Sequence, residues 1–185
     1  MFKRNGLDTG REGFDMNTWI FQGNPKKFDV DAYLQNRSDI RWTVGNNKIQ
    51  NSILLNDIAF LWRSDGDNPR SGGIIAKGII TIPPRPMEDD AQQLWKSSQK
   101  NTVINRVAIR IEEFRLSFKD GMLLRTELES HPVLRDLWIL KWRAAILYSV
   151  TPEHAGILDK LWESRRSARG NALDISLQIS KGDDR

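Results

Sequence analysis

Residues 40–80 read IRWTVGNNKIQNSILLNDIAFLWRSDGDNPRSGGIIAKGII, and this stretch decides the fold. IRWTV (40–44) reads as a strand broken by Gly45-Asn46-Asn47, and KIQNSILL (48–55) as a helical turn. DIAFLWR (57–63) alternates so that Ile58, Phe60 and Trp62 share one face of a strand. SDGDNPRSGG is a dense turn cluster. GIIAKGIITI (73–82) is the next strand, and Gly78 within it marks a bulge or the close approach of another backbone. Trp42 and Trp62 each border polar loop residues, so both are expected to wall a pocket rather than fill a core. Trp95 lies in DDAQQLWKSSQKN, where no apolar periodicity offers it a core face. Three such rings suit a flat ligand, and a nucleobase leads.

Working outward, TWIFQ (18–22) is a strand. FDVDAYLQNR opens a short helix with Asp29 as N-cap and Phe28 stapled to Tyr33. Residues 83–102 form a long polar connection. NRVAIRIEEF (105–114) alternates as a half-exposed strand, HPVLRDLWILKW (131–142) is a short helix or extended element, and AAILYSV (144–150) is the last strand. TPEHAGILDKLWESRR is a helix capped by Thr151, with Pro152 at its first position and a buried stripe of Ile157, Leu158, Leu161 and Trp162. The expected organisation is a disordered segment 1–16, one folded domain 17–164, and a polar tail or linker 165–185. Five or six short strands with two or three helices make an α+β domain built around a mixed β-barrel.

The 185 residues suffice for one domain with a sizeable core. With no cysteine, disulfides, thiolate metal sites and cysteine nucleophiles are excluded, and a reducing cytoplasm is compatible. The N-terminus lacks the apolar region of a signal peptide, and no run approaches the roughly 18 apolar residues of a membrane span. A soluble cytoplasmic protein is expected. The net charge is +4; residues 1–16 contribute zero and 165–185 contribute +2, which leaves +2 on the body. That mild bias is compatible with phosphate contacts.

Catalytic chemistry finds little support. His131 and His154, the only histidines, lie in no metal-ligand spacing and near no nucleophile motif, so they read as surface or capping residues. Glu88-Asp89-Asp90 and Glu112-Glu113 read as solvated. No phosphate-cradling Gly-x-x-x-x-Gly-Lys loop is present. No cofactor and no metal site is expected. Trp19, Trp138, Trp142 and Trp162 sit among apolar residues and read as core.

Several segments resemble the EVE domain of the PUA-like superfamily, which also contains the YTH readers. TWIFQGNPKKFDVDAY matches its opening strand and turn; Trp42-Thr43-Val44-Gly45-Asn46-Asn47 matches its Trp-x-Val/Gly-x-Asn segment. Asn56-Asp57-Ile58-Ala59-Phe60-Leu61-Trp62-Arg63-Ser64 stands where the family has Gly-Asp-x-Val-x-x-Tyr/Trp-x-Ser. Gly73-Ile74-Ile75-Ala76-Lys77-Gly78 and the helix opening Val150-Thr151-Pro152-Glu153 follow in order, so the resemblance runs from about residue 17 to 164. Trp42 matches the cage tryptophan after the first helix of the YTH readers, and Trp95 in Trp95-Lys96-Ser97-Ser98-Gln99 resembles their loop tryptophan. Their second loop tryptophan has no counterpart; Lys100 lies near its place.

The resemblance implies a barrel that reads a modified base in DNA or RNA, such as a methylated or hydroxymethylated cytosine, with a fused or partner nuclease in modification-dependent restriction. The expected base-binding set is Trp42, Thr43, Val44, Asn46, Asn47, Trp62, Ser64 and Trp95. Arg41, Lys48, Arg63, Arg70, Lys96 and Lys100 neighbour these in sequence and are the expected phosphate contacts. The competing reading is an enzyme acting on nucleic acid or a modified nucleoside. Alanine at Trp42 or Trp95 is expected to weaken binding with stability nearly unchanged.

Overall fold

In the computed structural model the described residues are 16–45, 48–97 and 103–165. Apart from Met16 and Arg165, the expected disordered start and polar tail lie outside them, as do Asn46, Asn47 and Lys100.

The order of elements follows the turn chemistry of the sequence. Strand β1 (Thr18–Gly23) leads into helix α1 (Val30–Asn36), whose first turn is capped by Asp29 Oδ1 accepting from the Ala32 N–H at 3.1 Å. The Phe28 and Tyr33 rings meet edge to face at 5.3 Å, forming the staple that fixes how the chain enters the helix. Strand β2 (Asp39–Thr43) is followed by Gly45, whose φ of 71° is the left-handed turn a glycine permits. A short 3₁₀ turn (Lys48–Ser52) precedes β3 (Ile58–Arg63). Asn56 has φ 69°, a left-handed conformation that asparagine tolerates better than most residues. The Asp57 that follows is 2% exposed and accepts from the Trp19 indole at 2.8 Å and the Leu54 N–H at 2.8 Å.

Strand β4 (Gly73–Met87) runs five residues beyond the expected end at 82, through Pro83, Pro84 and Pro86. Its pairing explains this. Backbone bonding on the β3 side of β4 ends at Ile80, whose N–H donates to the Asp57 carbonyl at 2.9 Å, so beyond it that edge needs no donors, while β5 (Ile104–Phe114) stays paired as far as Met87↔Ile104. The expected polar connection is shortened accordingly. At Gly78 a Cβ would lie 2.3 Å from the Arg110 carbonyl of β5, the close approach that this glycine signalled. Next come β6 (Leu123–Leu124), α2 (Arg125–Ser130), α3 (Trp138–Lys141), β7 (Leu147–Val150) and a helix α4 over residues 152–165. The His154 N–H donates to Thr151 Oγ1 at 3.3 Å, the expected cap of α4.

The strands form a mixed sheet in the order β2-β5-β4-β3-β1-β7, with β6 added to β4. Among the described residues the one parallel pair is β1–β3, and β7 pairs antiparallel with β1. Among the described residues there are seven strands rather than five or six, because the two-residue β6 carries no sequence pattern. Four α-helices lie among the described residues rather than two or three.

Both faces of the central strands are covered. Trp19, Phe21, Leu61 and Ile75 pack with Tyr33 and Leu34 of α1; Ile20, Phe60, Trp62 and Ile74 pack with Leu128, Ile139, Leu158 and Trp162 of the later helices. Lys77 pairs with Asp159 and, at 3.2 Å, with Glu163, which ties α4 to β4. Glu113 is not the solvated residue expected of it: Arg115, 1% exposed, donates to it at 2.8 Å, and the Trp162 indole at 3.1 Å.

Candidate functional site: an aromatic cavity

Trp42 lies on β2 opposite Val107 of β5 and is 6% exposed. Its ring stacks with Tyr33 at 6.3 Å and meets Phe28 edge on at 6.3 Å. Gly23 makes room for it, since a Cβ there would lie 3.0 Å from the indole and 2.7 Å from Val30. Trp95 arrives from a distant part of the chain. The Asp29 N–H donates to the Leu94 carbonyl at 2.9 Å, and the Lys96 N–H to the Lys27 carbonyl at 2.9 Å. These bonds sew segment 94–96 to the turn before α1 and set the Trp95 ring 5.0 Å from Phe28.

Trp42 and Trp95 wall one cavity of about 430 Å³, within the range of small-ligand sites. Thr43 lines it too, together with Gln22, Asn24 and Asp89. Among the described residues four cationic side chains, Lys27, Arg41, Arg106 and Arg143, stand around it against the one carboxylate of Asp89, so the cavity favours an anionic or electron-rich guest.

Asp89 organises these groups. Its Oδ1 accepts from the Ala91 N–H at 2.9 Å, its Oδ2 accepts from the Trp95 indole at 2.8 Å, and Arg106 lies 3.5 Å away. Arg106 is 5% exposed and also donates to the Met87 carbonyl. Its neighbour Asp90 accepts from the Tyr33 hydroxyl at 2.5 Å and from Arg37 at 3.1 Å. The acid run read as solvated is therefore structural at Asp89 and Asp90. Burial, reinforced by the bond to Asp90, pushes the Tyr33 hydroxyl well above its ordinary pKa.

The other expected base contacts fall elsewhere. Val44 is fully buried in the core beside the cavity. Asn46 and Asn47 lie outside the described residues. Ser64 follows β3; its N–H donates to the Gly23 carbonyl at 2.9 Å, and it is not among the cavity's lining. Trp62 is a correction. It is fully buried on the opposite face of the sheet, with the Arg125 guanidinium 4.8 Å above its ring. A strand covered on both faces has no solvent side, so the polar loop after it says nothing about the ring.

Of the expected phosphate contacts, Arg41 lines the cavity, donating to the Glu88 carbonyl at 3.3 Å. Lys48, Arg70 and Lys96 are exposed. Arg63 is a second correction: it is 13% exposed, pairs with Asp31 of α1 and donates to the Leu116 carbonyl at 3.0 Å. Lys100 lies outside the described residues.

The sequence reading missed Asp89, Arg106, Arg143 and Gln22, and it took Phe28 and Tyr33 as a staple only. Trp138 and Trp142, read as core, are 66% and 62% exposed. Among the described residues no cluster of His, Asp or Glu could hold a metal ion, and no helix is long and apolar enough to cross a membrane. His131 Nδ1 accepts from the Val133 and Leu134 N–H groups at 3.2 Å each, a capping role.

A mixed sheet with α1 on one face, later helices on the other and an aromatic cavity between β2 and the 89–95 segment is an α+β fold of the PUA-like kind. Solved structures share it. A hypothetical protein from Leishmania major aligns with TM-score 0.59 at 15% identity, over 82% of this chain and 98% of its own. Human THYN1 protein, in complex with 5-methylcytosine-containing DNA, aligns with TM-score 0.57 at 16% identity, over 80% of this chain and 98% of its own. A protein from Pseudomonas syringae aligns with TM-score 0.56 at 19% identity, over 78% and 99%. No protein-family profile and no curated protein sequence matches the chain.

Proposed function

We propose that the cavity holds one modified base flipped out of DNA or RNA, a methylated or hydroxymethylated cytosine being the leading candidate, and that the domain binds without altering it. The observation that carries this reading is the pair Trp42 and Trp95 walling one cavity ringed by four cations. The 5-methylcytosine DNA in the THYN1 complex supports it through the shared fold. Extruding a base costs a few kcal/mol, and stacking returns about 1–3 kcal/mol per ring. A methyl group adds only about 0.8 kcal/mol by burial, roughly a fourfold preference. Sharper selection needs polar groups on the base edge. Asp89, Thr43, Asn24 and Gln22 line the cavity for that purpose. A carboxylate has about four acceptor positions, so Asp89 can accept from the exocyclic amine of cytosine beyond its present bonds.

The same carboxylate is engaged by an indole, a backbone N–H and an arginine, an arrangement suited to holding a base rather than to proton transfer. Any cleavage in a restriction response would come from a nuclease domain or partner. The test is a binding panel of DNA and RNA oligonucleotides, each carrying one modified base. A preference of about fourfold or more for one modification is expected, with strands and bases intact after incubation with Mg²⁺ or Mn²⁺. Equal affinity for every modified and unmodified probe removes the reading.

A further inference from the structure

Trp138 and Trp142 form a surface that no core explains. Exposed indoles forgo the burial of one of the largest apolar side chains, and two side by side mark a contact surface. They lie one helical turn apart, since the Trp142 N–H donates to the Trp138 carbonyl at 2.8 Å, and both rings wall an open groove of about 360 Å³ with Ile49 and Tyr148.

The groove borders the aromatic cavity. Ala145 lines both, and Arg143 and Ala144, which follow Trp142 directly, line the cavity. This loop is held in place: Gln22 donates to the Arg143 carbonyl at 3.1 Å, and the Tyr148 hydroxyl to the Trp142 carbonyl at 2.6 Å. Its cations are exposed. Lys141 pairs with Asp136 at 2.8 Å and Arg143 lies 3.9 Å from Glu129, contacts that water screens and that phosphate can replace.

We propose that Trp138 and Trp142 are a stacking site for the nucleotides flanking the base held in the cavity, so that a single-stranded stretch of nucleic acid runs from the cavity across α3. The proposal rests on the base-binding reading above. Aromatic rings beside cations are what sequence-tolerant binding of single strands requires, because every base presents a π-face to stack. The shared wall at Ala145, the exposed rings and the positive charge of Arg143 between them all favour this occupant over a second copy of the chain.

The experiment compares wild type, W138A/W142A and W138F/W142F. The probes are 5-methyl-2′-deoxycytidine monophosphate, short single-stranded DNA and RNA oligonucleotides with one central 5-methylcytosine, and their unmodified counterparts. W138A/W142A should bind the mononucleotide as wild type does and lose about tenfold or more in affinity for the oligonucleotides, the scale of base stacking. W138F/W142F, which keeps a ring at each position, should recover most of that loss. Equal oligonucleotide affinity in wild type and W138A/W142A overturns the stacking site and leaves base reading intact. A loss in W138A/W142A that is the same for modified and unmodified strands, in a wild type without preference, supports the stacking site and overturns base reading. A wild type that binds none of the probes overturns both. A wild type that sediments as a dimer, with W138A/W142A monomeric and unimpaired in oligonucleotide binding, assigns the rings to a copy-to-copy interface and overturns the proposal.

Discussion

The indole N–H of Trp95 donates to Asp89 Oδ2 at 2.8 Å, and the same carboxylate stands 3.5 Å from the guanidinium of Arg106. One side chain thus holds an aromatic wall of the cavity in place and balances a nearly buried cation. Asp89→Ala should cost up to about 3 kcal/mol, the low end for breaking a buried pair, because Arg106 keeps its bond to the Met87 carbonyl. The melting temperature should fall by no more than about 6–12 °C. Trp95→Phe separates the two roles: it keeps a ring and loses the donor, so base affinity should fall by less than in Trp95→Ala. Calorimetry and binding isotherms on the three variants check this.

Trp42 and Trp95 should differ when truncated, contrary to the expectation that either would leave stability unchanged. Trp42 is 6% exposed and belongs to the core as well as to the cavity, so Trp42→Ala should cost about 3–5 kcal/mol. Trp95 is half-buried, and Trp95→Ala should weaken modified-base binding by about fivefold or more at a much smaller thermal cost. A Trp42→Ala variant that melts with wild type would contradict its place in the core.

Local signals found Trp42, Trp95, the Asp29 cap and the Thr151 cap, because each is a short-range pattern. Asp89 sits in a run of three acids that nothing local distinguishes; its partners come from a chain reversal and from β5. Arg143 reaches the cavity only because β7 pairs with β1, a contact between residues more than a hundred positions apart. At Trp62 the polar loop after the strand points to an exposed ring, whereas β3 is covered on both faces. The reverse holds for Trp138 and Trp142. Ile139 takes the buried position of the four-residue α3 and Leu137 is buried at its N-cap, which leaves the rings outside.

Charge reversal should separate two arginine and lysine roles that look alike in sequence. Arg63 is largely buried, pairs with Asp31 and donates to the Leu116 carbonyl, so Arg63→Glu should destabilise the fold by about 3 kcal/mol or more. Lys96 is exposed beside Trp95, and Lys96→Glu should leave the melting temperature within about 1–2 °C. If Lys96 tracks a DNA phosphate, the slope of log K against log salt should fall by about 0.9. An unchanged slope places the strand away from Lys96.

The Tyr33 hydroxyl gives the cavity wall a pH signature. Burial is the larger cause that raises its pKa, followed by its bond to Asp90, so the folded state holds this proton more tightly than the unfolded chain. The unfolded tyrosine titrates near pH 10. Above that pH the unfolded state releases the proton while the folded state keeps it, and stability falls as pH rises. Below it the two states bind the proton equally, and this residue adds no pH dependence. Tyr33→Phe removes the titration but also the acceptor of the Arg41 N–H, a bond of 2.8 Å, and the donor to Asp90. At neutral pH the variant should therefore be less stable by about 1–2 kcal/mol. Between pH 10 and 11.5 its stability should decline less steeply than that of wild type, so the gap narrows. Denaturant midpoints measured at neutral pH and across that alkaline range decide it: a constant gap would mean that Tyr33 titrates alike in the folded and unfolded chains.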